Sequence, residues 1–467
     1  MKNRIFIKSF LGIASVAGIF PATLAAEKVT VKAYDEVVFY DGYNGKVFDA
    51  DKNDGVLRFS NSHYSVKLNP SDFDQATGNM VMNVDIGALC DNYDRIGNLN
   101  LAFVPKGQDT YVPKEVGRIE ITRFITPFMN KNKDPKVVPY EYNIPNVAKL
   151  LRDVDLRSQY DFWLEFELFG IPYAANTQVA GCKDRNDVFA GTVTFSFEAS
   201  EPEQPETGNV LVPIYIKTPE HYGNINLNNY NEQATDTLGV TTRTFEFNVP
   251  EDVADSRVYL ILTNHGAATG GEEYVRREHL IYFDGEVVLT YKPGGVSCEP
   301  YRKYNTQANG IYGSKPDEKF WTMQSNWCPG QAVPIREIHM GAVKAGKHSV
   351  MIRVPKARFY QQDGDFRPSI YFQGVTSGDL PSSVDQVWFE GASVDVNIEG
   401  KIAKFDSNEP VVMVTVHSYD GMKLLSEGSL RGPELRQVSL EGLPSGAYIL
   451  TFYTDDGRPA TKKVLLK

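Results

Sequence analysis

The stretch Phe162-Trp-Leu-Glu-Phe-Glu-Leu-Phe169 sets the class of fold. Side chains of a strand leave alternate faces, so Phe162, Leu164, Phe166 and Leu168 share one face and Trp163, Glu165 and Glu167 the other. The same alternation, rich in β-branched and aromatic residues, recurs at Val29-Thr-Val-Lys-Ala, Leu99-Asn-Leu-Ala-Phe-Val, Thr192-Val-Thr-Phe-Ser-Phe-Glu and Val258-Tyr-Leu-Ile-Leu-Thr. Turn formers such as Asp41-Gly, Tyr43-Asn-Gly, Asn53-Asp-Gly and Asp284-Gly fall between such runs. Many short strands separated by Gly, Asn and Asp turns predict antiparallel sandwiches or jelly rolls. Only Pro145-Asn-Val-Ala-Lys-Leu-Leu-Arg152 reads as helical. No strand–helix–strand unit recurs, which argues against parallel α/β architectures.

Two composition breaks divide the chain. Ser200-Glu-Pro-Glu-Gln-Pro-Glu-Thr-Gly-Asn209 is acidic, Pro-rich and free of apolar residues, and Thr376-Ser-Gly-Asp-Leu-Pro-Ser-Ser383 is similar. The expected pieces are 27–200, 209–377 and 384–467, in keeping with about 150 residues per domain. Residues 1–26 carry Lys2, Arg4 and Lys8, then the apolar run Phe10–Phe20 and the small-residue end Pro21-Ala-Thr-Leu-Ala-Ala26. That pattern predicts an export signal, since the run is shorter than the ~20 residues a membrane span needs. The mature chain is expected to be periplasmic, surface-held or secreted, without a transmembrane segment, and monomeric. In such a compartment the four cysteines, Cys90, Cys182, Cys298 and Cys328, read as disulfides. No CxxC spacing points to zinc. With 59 acids against 48 Lys and Arg, the net charge of −11 disfavours nucleic acid, whose phosphates need clustered cations.

Standard catalytic constellations are absent: no G-x-S-x-G elbow, no HExxH, no P-loop. The seven histidines, at 63, 221, 265, 279, 339, 348 and 417, never stand at metal-ligand spacing. Asp49-Ala-Asp-Lys-Asn-Asp-Gly55 resembles the start of a calcium loop, but its Gly is one position late, so a polar turn is the expected reading. No metal and no cofactor are expected. Acids near aromatics and cations carry more chemistry. Cys90-Asp-Asn-Tyr-Asp94-Arg95 sets an acid beside a base. Glu165 and Glu167 leave one strand face, where mutual repulsion raises at least one pKa. Gly270-Gly-Glu-Glu273-Tyr274-Val-Arg-Arg-Glu-His279 gathers acids, an aromatic and two arginines.

Three runs together resemble the peptide-N-glycosidase F (PNGase F) family. They are Cys90-Asp-Asn-Tyr-Asp94-Arg95, then Gly117-Arg-Ile-Glu-Ile-Thr-Arg123-Phe-Ile-Thr-Pro-Phe128, then Asn326-Trp327-Cys-Pro-Gly-Gln-Ala-Val-Pro334, in the family's order. The resemblance covers about residues 27–377 and implies two adjacent antiparallel jelly-roll β-sandwiches. The implied activity is a peptide-N4-(N-acetyl-β-glucosaminyl)asparagine amidase acting on N-linked glycoproteins and glycopeptides. By position, Asp94 takes the place of the family's main catalytic acid, Arg95 that of the substrate-contacting Arg, and Glu273 that of the second-domain Glu. Glu167 takes the strand Glu, with Glu165 its rival in register. Tyr274, His265 and Trp327 fall at substrate-binding positions. The resemblance also implies a Cys298–Cys328 bridge and leaves Cys90 to pair with Cys182. The chain departs from the family in having Tyr274 for a Trp, and Gln324 or Ser325 for the Arg preceding Trp327. Arg302, Arg276 and Arg277 are candidates to replace that Arg. A glycoside hydrolase acting within the glycan, or a glycan-binding relative without activity, are the alternatives.

The last piece also carries a resemblance. Val416-His-Ser-Tyr-Asp-Gly-Met, Leu443-Pro-Ser-Gly-Ala-Tyr and the basic end Lys462-Lys-Val-Leu-Leu-Lys467 resemble C-terminal sorting domains of Bacteroidetes type IX secretion cargo, which implies a small Ig-like β-sandwich.

Overall fold

The computed structural model describes residues 27–44, 54–202, 204–216, 241–267, 272–307, 325–358, 365–376, 394–407, 410–418, 423–428, 435–454 and 459–466. The export segment, most of Asp49–Gly55, Gln324 and the expected linker 376–383 beyond Thr376 lie outside the described residues. Among the described residues every strand pairing is antiparallel.

Among the described residues the first sandwich has nine strands. One sheet runs β1 (Lys28–Tyr40), β9 (Asp187–Glu198), β4 (Met80–Ala88), β7 (Val137–Asn143). The facing sheet runs β2 (Val56–Arg58), β3 (His63–Lys67), β8 (Tyr160–Leu168), β5 (Ile96–Pro105), β6 (Gly117–Ile125). The fold-deciding stretch is β8. Its Phe162, Leu164, Phe166 and Leu168 enter the core, where Phe39 stacks on Tyr64 at 4.6 Å and meets Phe166 edge-on at 4.9 Å. Burial of large apolar side chains, each contributing about 1.5–3 kcal/mol, makes this face the one that fixes the register. The sheets must also approach closely at Gly97, where a Cβ would sit 2.1 Å from the ring of Phe124.

The helical reading of Pro145–Arg152 holds as α1, with Pro at its first turn. A second short helix, α2 (Val154–Gln159), follows, capped by Asp153, which accepts from the Leu156 amide at 2.8 Å. One and a half turns are too few for the sequence periodicity to reveal. The segment 200–209 is not loose: Glu206 pairs with Arg152 at 3.1 Å, and Asn209 donates to Asp153 at 2.8 Å.

The second sandwich has sheets β10 (Asn209–Tyr215), β17 (Asp365–Val375), β12 (Asp255–His265), β15 (Arg336–His339) and β11 (Thr241–Val249), β16 (Gly346–Val354), β13 (His279–Phe283), β14 (Glu286–Tyr291). The third has β18 (Val394–Glu399), β19 (Ile402–Ser407), β22 (Gln437–Ser439) against β21 (Lys423–Gly428), β20 (Val411–Ser418), β23 (Gly446–Thr454), β24 (Pro459–Leu466). Each has its own core, and Met413 of the third packs into the core of the second. The three-core division accords with pieces bounded near 200–209 and 377–384, which we retain as a proposal. Among the described residues no helix is long and apolar enough to cross a membrane.

The first two sandwiches meet along β6. Its end zips onto the segment after Trp327: Ile125 N donates to Gln331 O, Gly330 N to Ile125 O and Val333 N to Arg123 O, at 3.1, 3.0 and 2.8 Å. Ile125, Ile261, Trp327 and Val333 form a shared apolar cluster over this seam.

Candidate active site at the seam of the two sandwiches

The first acid sits on a braced loop. Cys90 and Cys182 are joined in a disulfide, and Cys298 and Cys328 in another. After Cys90, the buried Asp91 accepts from the amides of Tyr93 (2.9 Å) and Ile171 (2.8 Å) and from Nε of Arg95 (2.7 Å). Thr126 Oγ1 accepts from Arg95 N at 2.7 Å and donates to the Tyr93 carbonyl at 3.1 Å. Asp91 therefore organises the loop, and Asp94 is presented at its tip. Arg95 lies over the Tyr93 ring at 5.3 Å. Burial raises the Asp94 pKa to about 6, with Asp91 adding to the rise and Arg95 opposing it. That value suits a group exchanging protons near neutral pH.

The second acid comes from the other sandwich. Glu273 Oε2 accepts from Gly266 N at 3.2 Å, and its carbonyl receives Ser325 Oγ (2.9 Å) and Asn326 Nδ2 (2.7 Å). Its neighbour Glu272 is buried and bound by Arg277 at 2.8 and 3.1 Å, so it is structural. Tyr274 is exposed, and burial of part of its ring together with Glu273 and Asp94 raises its pKa. That mutual influence brings Asp94, Glu273 and Tyr274 into one neighbourhood.

The strand pair resolves into two different environments. Glu165 is gripped by Arg118 at 2.8 and 3.1 Å and by Tyr111 at 2.8 Å. Glu167 accepts from Asn100 Nδ2 at 2.6 Å. Glu167 pairs in register with Asn98, and Leu168 with Gly97, close to the Asp94 loop; Glu165 lies one row farther along. His63, Glu165 and Glu167 place one ligand atom each within 4.8 Å. With both Glu165 oxygens engaged by a guanidinium, this trio is a poor fit for a cation.

His265 and Trp327 face each other at 5.8 Å. Trp327 donates Nε1 to the Asn264 carbonyl at 3.0 Å and is only 7% exposed, so it acts chiefly as a wall. His265 shares a 2.7 Å hydrogen bond with Thr263 Oγ1. Burial first, then Arg367 and Arg123, hold its pKa well below the usual range, so the ring stays neutral.

One constellation at the seam escaped the sequence reading. Arg123 of β6 pairs with Glu120 at 2.7 Å on both arms and also reaches Thr263 Oγ1 (2.8 Å) and the Arg367 carbonyl (2.7 Å) on the second sandwich. Residues three apart on a regular strand face opposite ways. Here the register shifts between Leu99 and Asn100, opposite Thr122 and Glu120, and this bulge turns both charges to one face. The only signal in the sequence was Arg123's place within the resembling run.

Two family models fit the chain: "Peptide-N-glycosidase F, N terminal" over residues 29–183 and "Peptide-N-glycosidase F, C terminal" over residues 229–373. The chain belongs to the peptide-N-glycosidase F family. Its structure is similar to that of PNGF-II in two crystal forms, with TM-scores of 0.54 and 0.55 and identities of 16% and 17%. Those matches cover 75% of this chain and 66% and 65% of PNGF-II, so the chain spans somewhat under two thirds of that protein. Recombinant PNGase F aligns at 16% identity over 75% of this chain and 96% of its own, with a TM-score of 0.48. No curated protein matches. At these identities the likeness to solved structures speaks for the fold, a β-sandwich of jelly-roll type.

Two of the candidate stand-ins for the family's Arg before Trp327 are committed elsewhere. Arg276 donates to the carbonyls of Pro293 (2.6 Å) and Gly294 (3.0 Å), and Arg277 is held by Glu272. Ser325 spends its hydroxyl on the Glu273 backbone.

Proposed function

We propose that the chain is an exported amidase that hydrolyses the bond between the first GlcNAc and an Asn side chain, releasing the intact N-glycan and leaving Asp. The convergence of Asp94, Glu273 and Tyr274 where two PNGase F-type sandwiches meet carries this reading. Amide hydrolysis needs an activated water, a stabilised oxyanion and a proton for the leaving nitrogen. Asp94, poised near pH 6, is the central acid/base group. Glu273 and Glu167 hold the sugar and the catalytic water. Arg95 and Tyr274 grip the chitobiose core by hydrogen bonding and stacking, with His265 and Trp327 forming the wall. The products are a peptide Asp and a glycosylamine that loses ammonia. No step calls for a metal or a cofactor.

The deciding experiment incubates the full chain with a ribonuclease-type N-glycoprotein and weighs both products. Asn converted to Asp with nothing attached, alongside an intact glycan, is the expected result. GlcNAc left on Asn would make the chain a glycosidase instead. Binding without turnover is the second reading, favoured by the loss of the family Arg with Arg276 and Arg277 both committed elsewhere. We further propose export on the strength of residues 1–26 and the two disulfides. The third sandwich is proposed to serve sorting, not chemistry.

A further inference from the structure

Arg336, at the start of β15, is 2% exposed, yet its Nε and Nη1 have no hydrogen-bond partner and no carboxylate pairs with it among the described residues. Leaving a guanidinium dry and uncompensated is costly, so such a group marks a place where something else belongs. Its plane is fixed: the guanidinium carbon lies 3.7 Å from the centroid of Tyr291, whose ring stacks on His279 at 4.8 Å. A guanidinium held on an aromatic face keeps its N–H groups for partners in its own plane, which suits an anion's oxygen.

That residue lines a cavity of about 40 Å³, bounded also by Asn264, Asn326, Trp327, Gly294 and Val296. The space exceeds the ~10–15 Å³ that one water needs. Gly294 forms part of the wall at φ +70°, where a Cβ would lie 2.3 Å from the Ser325 carbonyl, so the close approach is built in. Arg336 is the charged residue among those that line it. Burial, aided by Arg336, lowers the pKa of His279 to about 3, so that ring adds no charge but removes none. Arg276, at the neighbouring Pro293–Gly294 carbonyls, brings a second guanidinium. The Oδ1 atoms of Asn264 and Asn326 are likewise buried without partners and suit a water sharing the space.

We propose that this cavity binds a small anion, a carboxylate or an oxyanion of that size, against an unpartnered N–H of Arg336. It lies beside the candidate active site, sharing Trp327 and Asn326 with it, and Val296 is the exposed residue at its rim.

The test is thermal and chemical unfolding of the full chain in formate or acetate against chloride at equal ionic strength, with acetamide as the neutral isostere of acetate. At ten times its Kd, an anion binding only the folded chain lowers the unfolded fraction about elevenfold. Formate or acetate should do this, and chloride and acetamide should not. Arg336→Lys keeps the charge but loses the planar guanidinium N–H donors, and should abolish the effect. Val296→Phe closes the rim without touching Arg336 and should abolish it too, which covers the case in which the Arg336 variant does not fold. The proposal is overturned by no anion effect in the parent chain, by an equal effect of acetamide, or by an anion effect that survives in Val296→Phe. A crystal soaked in formate that shows only water against Arg336 would also overturn it.

Discussion

The two sandwiches treat buried charge differently, although both bury acid–cation pairs, Glu272–Arg277 being one on the second. On the first, each buried acid facing the seam has a dedicated donor: Glu120 has Arg123, Glu165 has Arg118 and Tyr111, Glu167 has Asn100. On the second, Arg336 is buried without an acid, and His265 and His279 are held neutral. The first sandwich is thus a pre-paired floor, while the second leaves donors unspent. Asp94 stands apart from both, a half-buried acid whose pKa is raised because no partner fully offsets its burial. Acids with cation partners hold structure, and acids without one, Asp94 first among them, are the candidates for chemistry.

Asp94→Asn gives the largest effect that would break this contrast. Turnover of a glycopeptide, followed by mass spectrometry, should fall by about 10²–10⁴. Stability should move the other way. The folded pKa of about 6 lies above the unfolded value of 3.8, so ionising Asp94 penalises the native state increasingly from pH 4 to pH 6. The variant should therefore be more stable than the parent at pH 7, by up to about 3 kcal/mol, and equal to it below pH 4. Unchanged glycan release would remove Asp94 from the mechanism.

Next in size is the buried pair at the seam. Glu120→Gln or Arg123→Met alone should cost about 3–5 kcal/mol in chemical denaturation, because each leaves one polar group stranded. The double variant should cost less than the sum of the singles, and additivity would deny the coupling.

The two strand glutamates sharpen the comparison further. Glu165→Gln strips Arg118 of its anion and should cost about 3 kcal/mol. Glu167→Gln should cost about 1 kcal/mol, yet reduce kcat/KM more than Glu165→Gln does once both are assayed folded. The reverse order would make Glu165 the substrate-side acid. The smallest expected signature is a limb in the pH dependence of kcat/KM near 6, activity rising as Asp94 ionises and the limb vanishing in Asp94→Asn.

Much of this was legible in the chain itself. The alternation of Phe162–Phe169 determined a strand, its apolar face and the shared face of Glu165 and Glu167, because side-chain period two is a property of the extended backbone. Asp94, Glu273 and Tyr274 stood out by residue type and through the resembling runs, and the four cysteines read as bridges. Folding decided the rest. Which glutamate is committed to Arg118 depends on a strand 47 positions away in sequence. Glu120 and Arg123 share a face only because of a bulge, which no local pattern announces. Arg336 sits among ordinary strand residues in the sequence, and its lack of a partner exists only once Tyr291, Trp327 and Asn326 have closed around it. Periodicity is written locally; charge pairing and its absence belong to contacts between distant segments, and only the tertiary structure sets them.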